Sequence, residues 1–240
     1  MSAKADKVFA DLQTAIKSEQ LTLPTLPEVA LKVREAIESD TGTAKSIADV
    51  LSQDPALSAR LIQVANSSLY RGRTAIEHVQ MAVTRLGIRL VKDLIVSLTM
   101  QQIYQATSDV LDKKFRQAWS TSVDIAAISR MLSSSTRLSA EQAMLAGLIH
   151  NIGILPLLVV AEDDEELFND ESALNKVIQE LQAPVGKMIL ESWNFPVEMI
   201  DVVDQCYNFD RKTESNSADF VDLIQIALLQ GGYIQHVTGC

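Results

Sequence analysis

The sequence predicts an all-α fold, because apolar side chains recur at helical spacing along most of the 240 residues and no segment shows convincing strand alternation. The chain is 47% hydrophobic and contains only 9 glycines and 6 prolines, so it can bury a substantial core. Aromatic residues make up 5% of the chain, which predicts a mainly aliphatic core. We expect a bundle of about a dozen helices.

Cap residues mark the first helices. The apolar spacing from Val8 to Ile16 predicts an amphipathic helix, and Pro27 suits the first position of the next helix. Thr43 and Asp54 are the predicted N-caps of the two helices that follow.

Two further helices are predicted to complete the N-terminal half. Residues 74–77 (TAIE) have the capping-box pattern and predict a helix that ends at Gly87. Residues 88–106 are apolar on two faces, which predicts a long central helix.

The C-terminal half begins after a polar stretch at residues 107–109, the predicted junction between two subdomains. A helix is expected from Phe115 to Leu132, and residues 139–142 (SAEQ) form a second capping box that opens the helix carrying His150. Later helices are signalled by Ser172, Pro184, Pro196 and the apolar run from Phe220 to Leu229.

The formal net charge of −10 argues against non-specific binding to nucleic acid or to an anionic membrane. Residues 51–100 contain six basic and three acidic residues, whereas residues 159–222 contain four basic and sixteen acidic ones. This asymmetry has two interpretations, a solvated acidic face or a dipole that orients a partner protein. Only two cysteines occur and residues 4–11 lack the apolar core of a secretion signal, so a cytoplasmic location is expected.

Residues 143–161 lack a formal charge and are long enough to span a bilayer. However, His150, Asn151 and Pro156 lie in the middle of this stretch and its flanks are acidic. A helix buried on all sides of a soluble bundle explains the same composition, and no membrane association is expected.

The residues His150-Asn151-Ile152-Gly153 differ from a metal-binding His-Asp pair by one amide. A neutral amide compensates a cation less well than a carboxylate does. One interpretation is a metal or phosphate site, and the other is a hydrogen-bonded core pair. The remaining histidines, His78 and His236, do not lie at ligand spacing from His150, so the core pair is favoured and no metal or cofactor is expected.

Residues 43–66 could form a helix-turn-helix, with Arg60 and Gln63 available for base contacts. Basic residues are few and the chain is acidic, so two packed scaffold helices are favoured over a DNA reader. No nucleic-acid partner is expected.

Five segments in order resemble the HDOD family, the HD-related output domain of bacterial signalling proteins. They are LPTLPEV (23–29), SQDPAL (52–57), LIQVANSSLY (61–70), AVTRLG (82–87) and AGLIHNIG (146–153). The resemblance covers about residues 21–215 and implies an HD-domain-like bundle. Within this range we expect a helical subdomain at 21–107 and an HD-like subdomain at 108–215. The apolar spacing outside it predicts an N-terminal helix within 1–20 and a C-terminal helix within 216–240.

The resemblance also implies where metal ligands of the related HD phosphohydrolases would fall. The first histidine falls near Thr121, the His-Asp pair at His150-Asn151 and a further histidine near Gln182. The later ligands fall near residues 205–206 and Leu228, so one ligand of the set remains. This implies a non-catalytic signalling module that acts through protein contacts. The alternatives are a metal-dependent phosphohydrolase of nucleotides or cyclic dinucleotides and, third, a DNA-binding regulator.

A candidate interaction surface follows the helix that ends near residue 66. Its members are polar, aromatic or basic: Asn66, Ser67, Tyr70, Arg71 and Arg73. The alternative interpretation is a helix C-terminal cap, since Asn often ends helices and cations suit that end of the dipole. Other signalling proteins are the expected partners.

Overall fold

Helices make up all the regular secondary structure that the computed structural model describes, and this confirms the all-α prediction. The described residues are 7–12, 14, 24, 27–38, 43–70, 72–104, 109–213 and 217–234. The chain divides into two compact units, one formed by residues 26–103 and the other by residues 1–25 together with 104–240.

The unit formed by residues 26–103 contains five of the described α-helices. They are α1 (Glu28–Glu38), α2 (Ala44–Leu51), α3 (Pro55–Ala65), α4 (Val79–Leu86) and α5 (Ile88–Thr99). The predicted N-caps of α2 and α3 are confirmed. Thr43 and Ser46 form a reciprocal capping box, and the Asp54 carboxylate accepts from the Leu57 N–H at 2.9 Å.

The capping box predicted at residues 74–77 is wrong. Helix α4 begins at Val79 and is capped by His78, whose Nδ1 accepts from the Met81 N–H at 3.2 Å. Thr74 instead accepts two hydrogen bonds from the Arg85 guanidinium. Both backbone polar groups of Ile76 are hydrogen-bonded to the side chain of Asn66. They are therefore not available for the hydrogen bonds of a helix that starts at Thr74.

The long helix predicted over residues 88–106 is also shorter than expected. Helix α5 ends at Thr99, and a 3₁₀ turn, Met100–Tyr104, follows it. Tyr104, the last residue of this turn, belongs to the second unit. Residues 105–106 lie outside the described part of the chain.

The second unit contains the remaining described α-helices. They are α6 (Asp109–Ser133), α7 (Ala140–Ile149), α8 (Ile154–Glu162), α9 (Glu165–Asn169), α10 (Glu171–Ser192), α11 (Val197–Gln205) and α12 (Phe220–Gln230). Of the capping box predicted at residues 139–142, the N-cap is confirmed, since the Ser139 hydroxyl accepts from the Gln142 N–H at 3.3 Å, but no return bond from the Gln142 side chain is seen among the described residues. Residues 7–12 are also helical and bury Val8 and Leu12.

A separate helix starting at Pro184 was predicted, but α10 continues through this proline from residue 171 to residue 192. A proline inside a helix removes one backbone hydrogen bond and strains the preceding turn. Helix α10 tolerates this because its inner face, which includes Leu181, Val185 and Ile189, is completely buried. Burial of that face outweighs the local cost.

The apolar stretch predicted to be a core helix is interrupted by a turn at residues 150–153 between α7 and α8. By length and composition alone, Ala140–Glu162 could cross a membrane, but 78% of its most apolar window is buried inside the protein. Burial in the core therefore accounts for its apolar composition.

Helices α6 and α7 pack unusually closely. A Cβ atom added to Gly147 would lie 2.3 Å from the Cα of Ala126, a distance that no side chain tolerates. The absence of a side chain at Gly147 lets the C-terminal end of α7 approach α6, and this approach positions the turn at residues 150–153.

Candidate functional site

The turn at residues 150–153 joins α7 to α8 and places His150 and Asn151 in the core, each 2% exposed. Its backbone lies directly against α10, because a Cβ added to Gly153 would lie 2.0 Å from the Gln182 carbonyl oxygen and 2.7 Å from the Gly186 nitrogen. The absence of a side chain at Gly153 therefore permits the backbone contact that fixes the site.

The Asn151 amide is hydrogen-bonded at both ends. Its Oδ1 accepts from the Tyr104 hydroxyl at 3.0 Å and from the Ser122 hydroxyl at 2.8 Å. Its Nδ2 donates to the backbone carbonyl of Ala118 at 3.2 Å. Because a carbonyl only accepts, this last bond sets the amide orientation and selects a side chain that can donate as well as accept.

His150 is a neutral imidazole with one free nitrogen. Its Nδ1 lies 2.7 Å from the Gly147 carbonyl oxygen, so Nδ1 carries the proton and Nε2 is left with a lone pair. The buried Nε2 has no hydrogen-bond partner among the described residues. Burial lowers the pKa of His150 to about 4, and the hydrogen bond to Gly147 opposes this shift only partly.

Tyr104 and Cys206 complete the surroundings of this pair. Burial raises the pKa of the Tyr104 phenol to about 12, so it is a neutral hydroxyl that donates to Asn151. The Cys206 thiol lies 3.9 Å from the His150 carbonyl oxygen, and burial raises the pKa of this thiol as well. The groups around His150 and Asn151 therefore stay uncharged at neutral pH.

Only some of the residues predicted at metal-ligand positions lie beside His150 and Asn151. Gln182, 6% exposed, lies at the turn through its backbone carbonyl. Thr121 bonds to the Gln117 carbonyl of its own helix, and the neighbouring Ser122 is the α6 side chain that bonds to Asn151. Cys206 lies beside His150, whereas Leu228 contributes a buried apolar side chain.

The site does not fit a divalent cation. Both acceptor positions of the Asn151 oxygen are taken by hydroxyl donors, its nitrogen donates to a carbonyl, and Nδ1 of His150 is protonated. Of the four polar atoms of the His150 and Asn151 side chains, His150 Nε2 is the one that keeps a lone pair without a partner among the described residues, and a metal needs several ligands. Among the residues that the structure describes, no three His, Cys, Asp or Glu side chains come together at a metal-binding distance.

Sequence reasoning missed Tyr104 and Ser122 as members of this cluster. Ser122 differs by one position from the predicted Thr121, and the helical spacing of α6 could have distinguished the two. No local signal indicates Tyr104, which lies 47 residues before its partner in the sequence.

The sequence pattern that defines the HDOD domain matches residues 23–209, which is most of the chain. The chain belongs to the HDOD domain family. The structure agrees with this membership, since a solved HDOD domain protein from Geobacter sulfurreducens is 22% identical, with a TM-score of 0.63, over 92% of this chain and 77% of that one.

Solved structures resemble this HDOD chain over nearly its full length. A candidate metal-dependent phosphohydrolase from Shewanella amazonensis SB2B is 31% identical, with a TM-score of 0.85, and the alignment covers 99% of this chain and 86% of that one. A candidate signal transduction protein from Marinobacter aquaeolei VT8 is 23% identical, with a TM-score of 0.60, over 95% of this chain and 56% of that one.

A curated relative, an uncharacterized protein of Treponema pallidum (strain Nichols), is 24% identical over 206 residues. The alignment covers 80% of this HDOD chain and 39% of the relative, so the chain spans about two fifths of the length of that protein.

The candidate interaction surface lies in the other unit of the HDOD chain, after α3. Asn66 ends the helix, and its side chain forms two hydrogen bonds with the backbone of Ile76, at 2.7 and 2.8 Å. The Ser67 Oγ is buried, and Tyr70 is half-buried. Arg73 is exposed, and Arg71 lies outside the described residues.

Proposed function

We propose that this HDOD protein is a non-catalytic signal-transduction module that acts through contacts with other proteins. The observation that carries the proposal is the hydrogen bond from Asn151 Nδ2 to the Ala118 carbonyl. A metal-binding aspartate at this position would direct a carboxylate oxygen at a carbonyl oxygen. The local backbone is therefore suited to the amide and not to the ligand that hydrolysis requires.

A metal-dependent hydrolase uses its cation to generate hydroxide and to hold phosphate oxygens. In this chain the Asn151 oxygen instead accepts from the Tyr104 and Ser122 hydroxyls, and His150 and Asn151 are each 2% exposed. Such a cluster stabilises the core, because each satisfied buried polar group avoids a cost of about 1–3 kcal/mol. We assign it a structural role.

The proposed contact surface is the Asn66 loop, defined by its described residues 66–70 and 72–78. Asn66 donates to the Ile76 carbonyl and accepts from the Ile76 N–H, and Arg85 donates two hydrogen bonds to Thr74, so these bonds hold the two ends of the loop together. Leu69 is 66% exposed on it, and Arg73 is exposed as well. A preorganised loop with an apolar and a cationic side chain loses little entropy when it binds a partner.

The second candidate function is a metal-dependent phosphohydrolase, because the Shewanella amazonensis SB2B protein, 31% identical, carries that name. The two functions differ in a turnover assay with bis(p-nitrophenyl) phosphate and a cyclic dinucleotide, each with Mn²⁺, Fe²⁺ or Mg²⁺. We expect no turnover above that of the His150→Leu variant. Metal-dependent turnover that His150→Leu abolishes would favour the enzyme.

Protein contact is tested separately with the Asn66 loop. The full chain is used as bait in native extract, and captured proteins are quantified by mass spectrometry for wild type, Leu69→Asp and Arg73→Glu. We expect both variants to lose the same specific partners. Met131→Asp, at a side chain that is 64% exposed in the other unit, is the matched control. Equal capture by all of the variants would remove this loop from the proposal.

A further inference from the structure

A groove lies along one face of α12, in the unit that contains His150. Its volume is about 430 Å³, and it is lined by Phe209, Ser217, Ala218, Asp222, Gln225, Ile226 and Leu229. Four of these residues, at positions 222, 225, 226 and 229, follow the i, i+3, i+4, i+7 spacing of one helix face. We call this feature the α12 groove.

The floor of the α12 groove is unusually apolar for a surface. Ile226 is 41% exposed and Leu229 is 59% exposed. Large apolar side chains of a helix usually face the core. Ile224 and Leu228, on a different face of α12, are the ones that are buried there. The helix thus has a second apolar face, directed to the groove.

The wall of the α12 groove is fixed to its floor before any partner binds. Gln225 donates to the Asn208 carbonyl at 2.8 Å. Arg211, whose side chain is 8% exposed, pairs with Asp219 at 2.7 Å and also with Asp222. These bonds join the segment after α11 to the first turn of α12, so the groove is preformed.

The unit that contains the α12 groove is acidic. At the groove itself, Asp219 and Asp222 are paired with Arg211, and exposed Asp210 lies near exposed Lys212 in the sequence. Beyond Leu229, the Tyr233 hydroxyl donates to the exposed carboxylate of Asp124 at 2.5 Å. The unit formed by residues 1–25 and 104–240 carries 23 acidic and twelve basic residues, whereas the other carries eight and nine.

We propose that the α12 groove binds an amphipathic helix of a partner protein, with apolar residues facing Ile226 and Leu229 and basic residues at its flanks. An apolar helix face laid into a hydrophobic groove is a common mode of peptide recognition, and it requires anchors spaced as they are on α12. The excess of acidic over basic residues in this unit favours a cationic helix over an acidic one. This inference rests on the proposed role in protein contact but assigns a second surface, independent of the Asn66 loop.

The test uses the full chain and two fluorescent helical peptides of about five turns. Both carry leucine at i, i+3, i+4 and i+7, and their other positions are lysine and alanine in one peptide and glutamate and alanine in its partner. Fluorescence anisotropy measures the affinity of each, and amide chemical shifts locate the bound peptide. We expect the lysine peptide to bind, with shifts at Gln225, Ile226 and Leu229, and the glutamate peptide not to bind.

Leu229→Asp is expected to weaken binding of the lysine peptide about tenfold or more, because it places a charge on the apolar floor. Val197→Asp, at a side chain that is 63% exposed on α11 outside the groove, is the matched control and should bind as wild type does. Equal binding of both peptides, or shifts confined to other surfaces, would overturn the proposal.

Two other occupants of the groove have their own outcomes. Self-association of the protein in sedimentation that Leu229→Asp abolishes would assign the groove to a second copy and overturn the proposal. A chain ending at Ile234 that binds the lysine peptide about tenfold more tightly than the full chain would assign it to residues 235–240, with the same consequence. A negative result for peptide binding at the groove does not change the outcome of the turnover and Asn66-loop experiments. The two proposals can therefore fail separately.

Discussion

The Asn151 side chain is hydrogen-bonded through both of its polar atoms in the core. It accepts from two hydroxyls and donates to one backbone carbonyl, and it is only 2% exposed. An amide satisfies all three partners without a net charge, whereas a carboxylate satisfies two of them and brings a charge into the core. The environment is therefore complementary to asparagine.

Replacing Asn151 by aspartate is expected to destabilise the protein by about 3 kcal/mol at pH 7. The new carboxylate faces the Ala118 carbonyl without a proton to donate. Burial will raise its pKa above that of the unfolded chain, so the destabilisation should shrink as the pH falls towards 5, where the protonated acid can donate. Urea denaturation at both pH values measures the effect.

Asn175→Asp, an exposed substitution on α10, is the control for that experiment and should leave stability nearly unchanged. A destabilisation by Asn151→Asp that does not depend on pH would contradict the assignment, since it would mean that the added charge is solvated.

Burial of His150 predicts that the folding stability of the protein decreases in acid. Burial holds its pKa at about 4 in the native state, against an ordinary value of 6.5. Between these values the unfolded imidazole binds a proton that the native one does not, so stability falls as the pH falls from about 6.5 to about 4. The full difference is about 3 kcal/mol.

The His150→Leu variant should therefore lose about 3 kcal/mol less than wild type between pH 7 and pH 4. The free energy of unfolding, measured by denaturant titration across this range, gives the difference between the two curves. Other titrating groups are common to both proteins and cancel. Parallel curves would show that His150 is solvated in the native state.

The turn between α7 and α8 depends on contact between backbones. Gly153→Ala would place a Cβ 2.0 Å from the Gln182 carbonyl oxygen, and α10 would have to move to accommodate it. We expect a loss of about 3 kcal/mol or more in unfolding free energy, measured in urea. At Gly72 an added Cβ would meet only the flexible Arg85 guanidinium at 3.5 Å, so Gly72→Ala should have little effect. Equal effects of the two substitutions would contradict this packing.

The Asn66 loop depends on one side chain. Asn66→Ala removes both hydrogen bonds to Ile76, a residue that is 2% exposed, and should destabilise the unit formed by residues 26–103 by about 2 kcal/mol. The amide proton of Ile76 should lose its protection from hydrogen exchange. Ser68→Ala, at an exposed neighbour, should preserve this protection. Protection that survives in Asn66→Ala would mean that the loop is closed by other contacts.

For the molecule as a whole, sequence predicts best what is decided locally. The caps at Thr43, Asp54 and Ser139 bond to backbone groups three residues away, so residue type and spacing are enough to identify them. The all-α class follows from the same local periodicity, and the family from ordered motifs along most of the chain.

Features decided by distant contacts were not predictable. The capping box predicted at Thr74 does not form because the backbone of Ile76 is hydrogen-bonded to the side chain of Asn66, ten residues earlier in the sequence. Helix α10 passes through Pro184 because tertiary burial outweighs a local penalty. Ser122 lies 29 residues from Asn151 in the sequence, and only the packing of α6 on α7 brings them together.

Cation binding by the purified full chain tests the central claim most directly. Free Mn²⁺ is counted by electron paramagnetic resonance during a titration, with the His150→Leu variant as control, since His150 Nε2 is the remaining lone pair at this position. The account predicts identical weak, unsaturated binding curves for the two proteins. One Mn²⁺ bound per wild-type chain at micromolar concentration, and lost in His150→Leu, would contradict it.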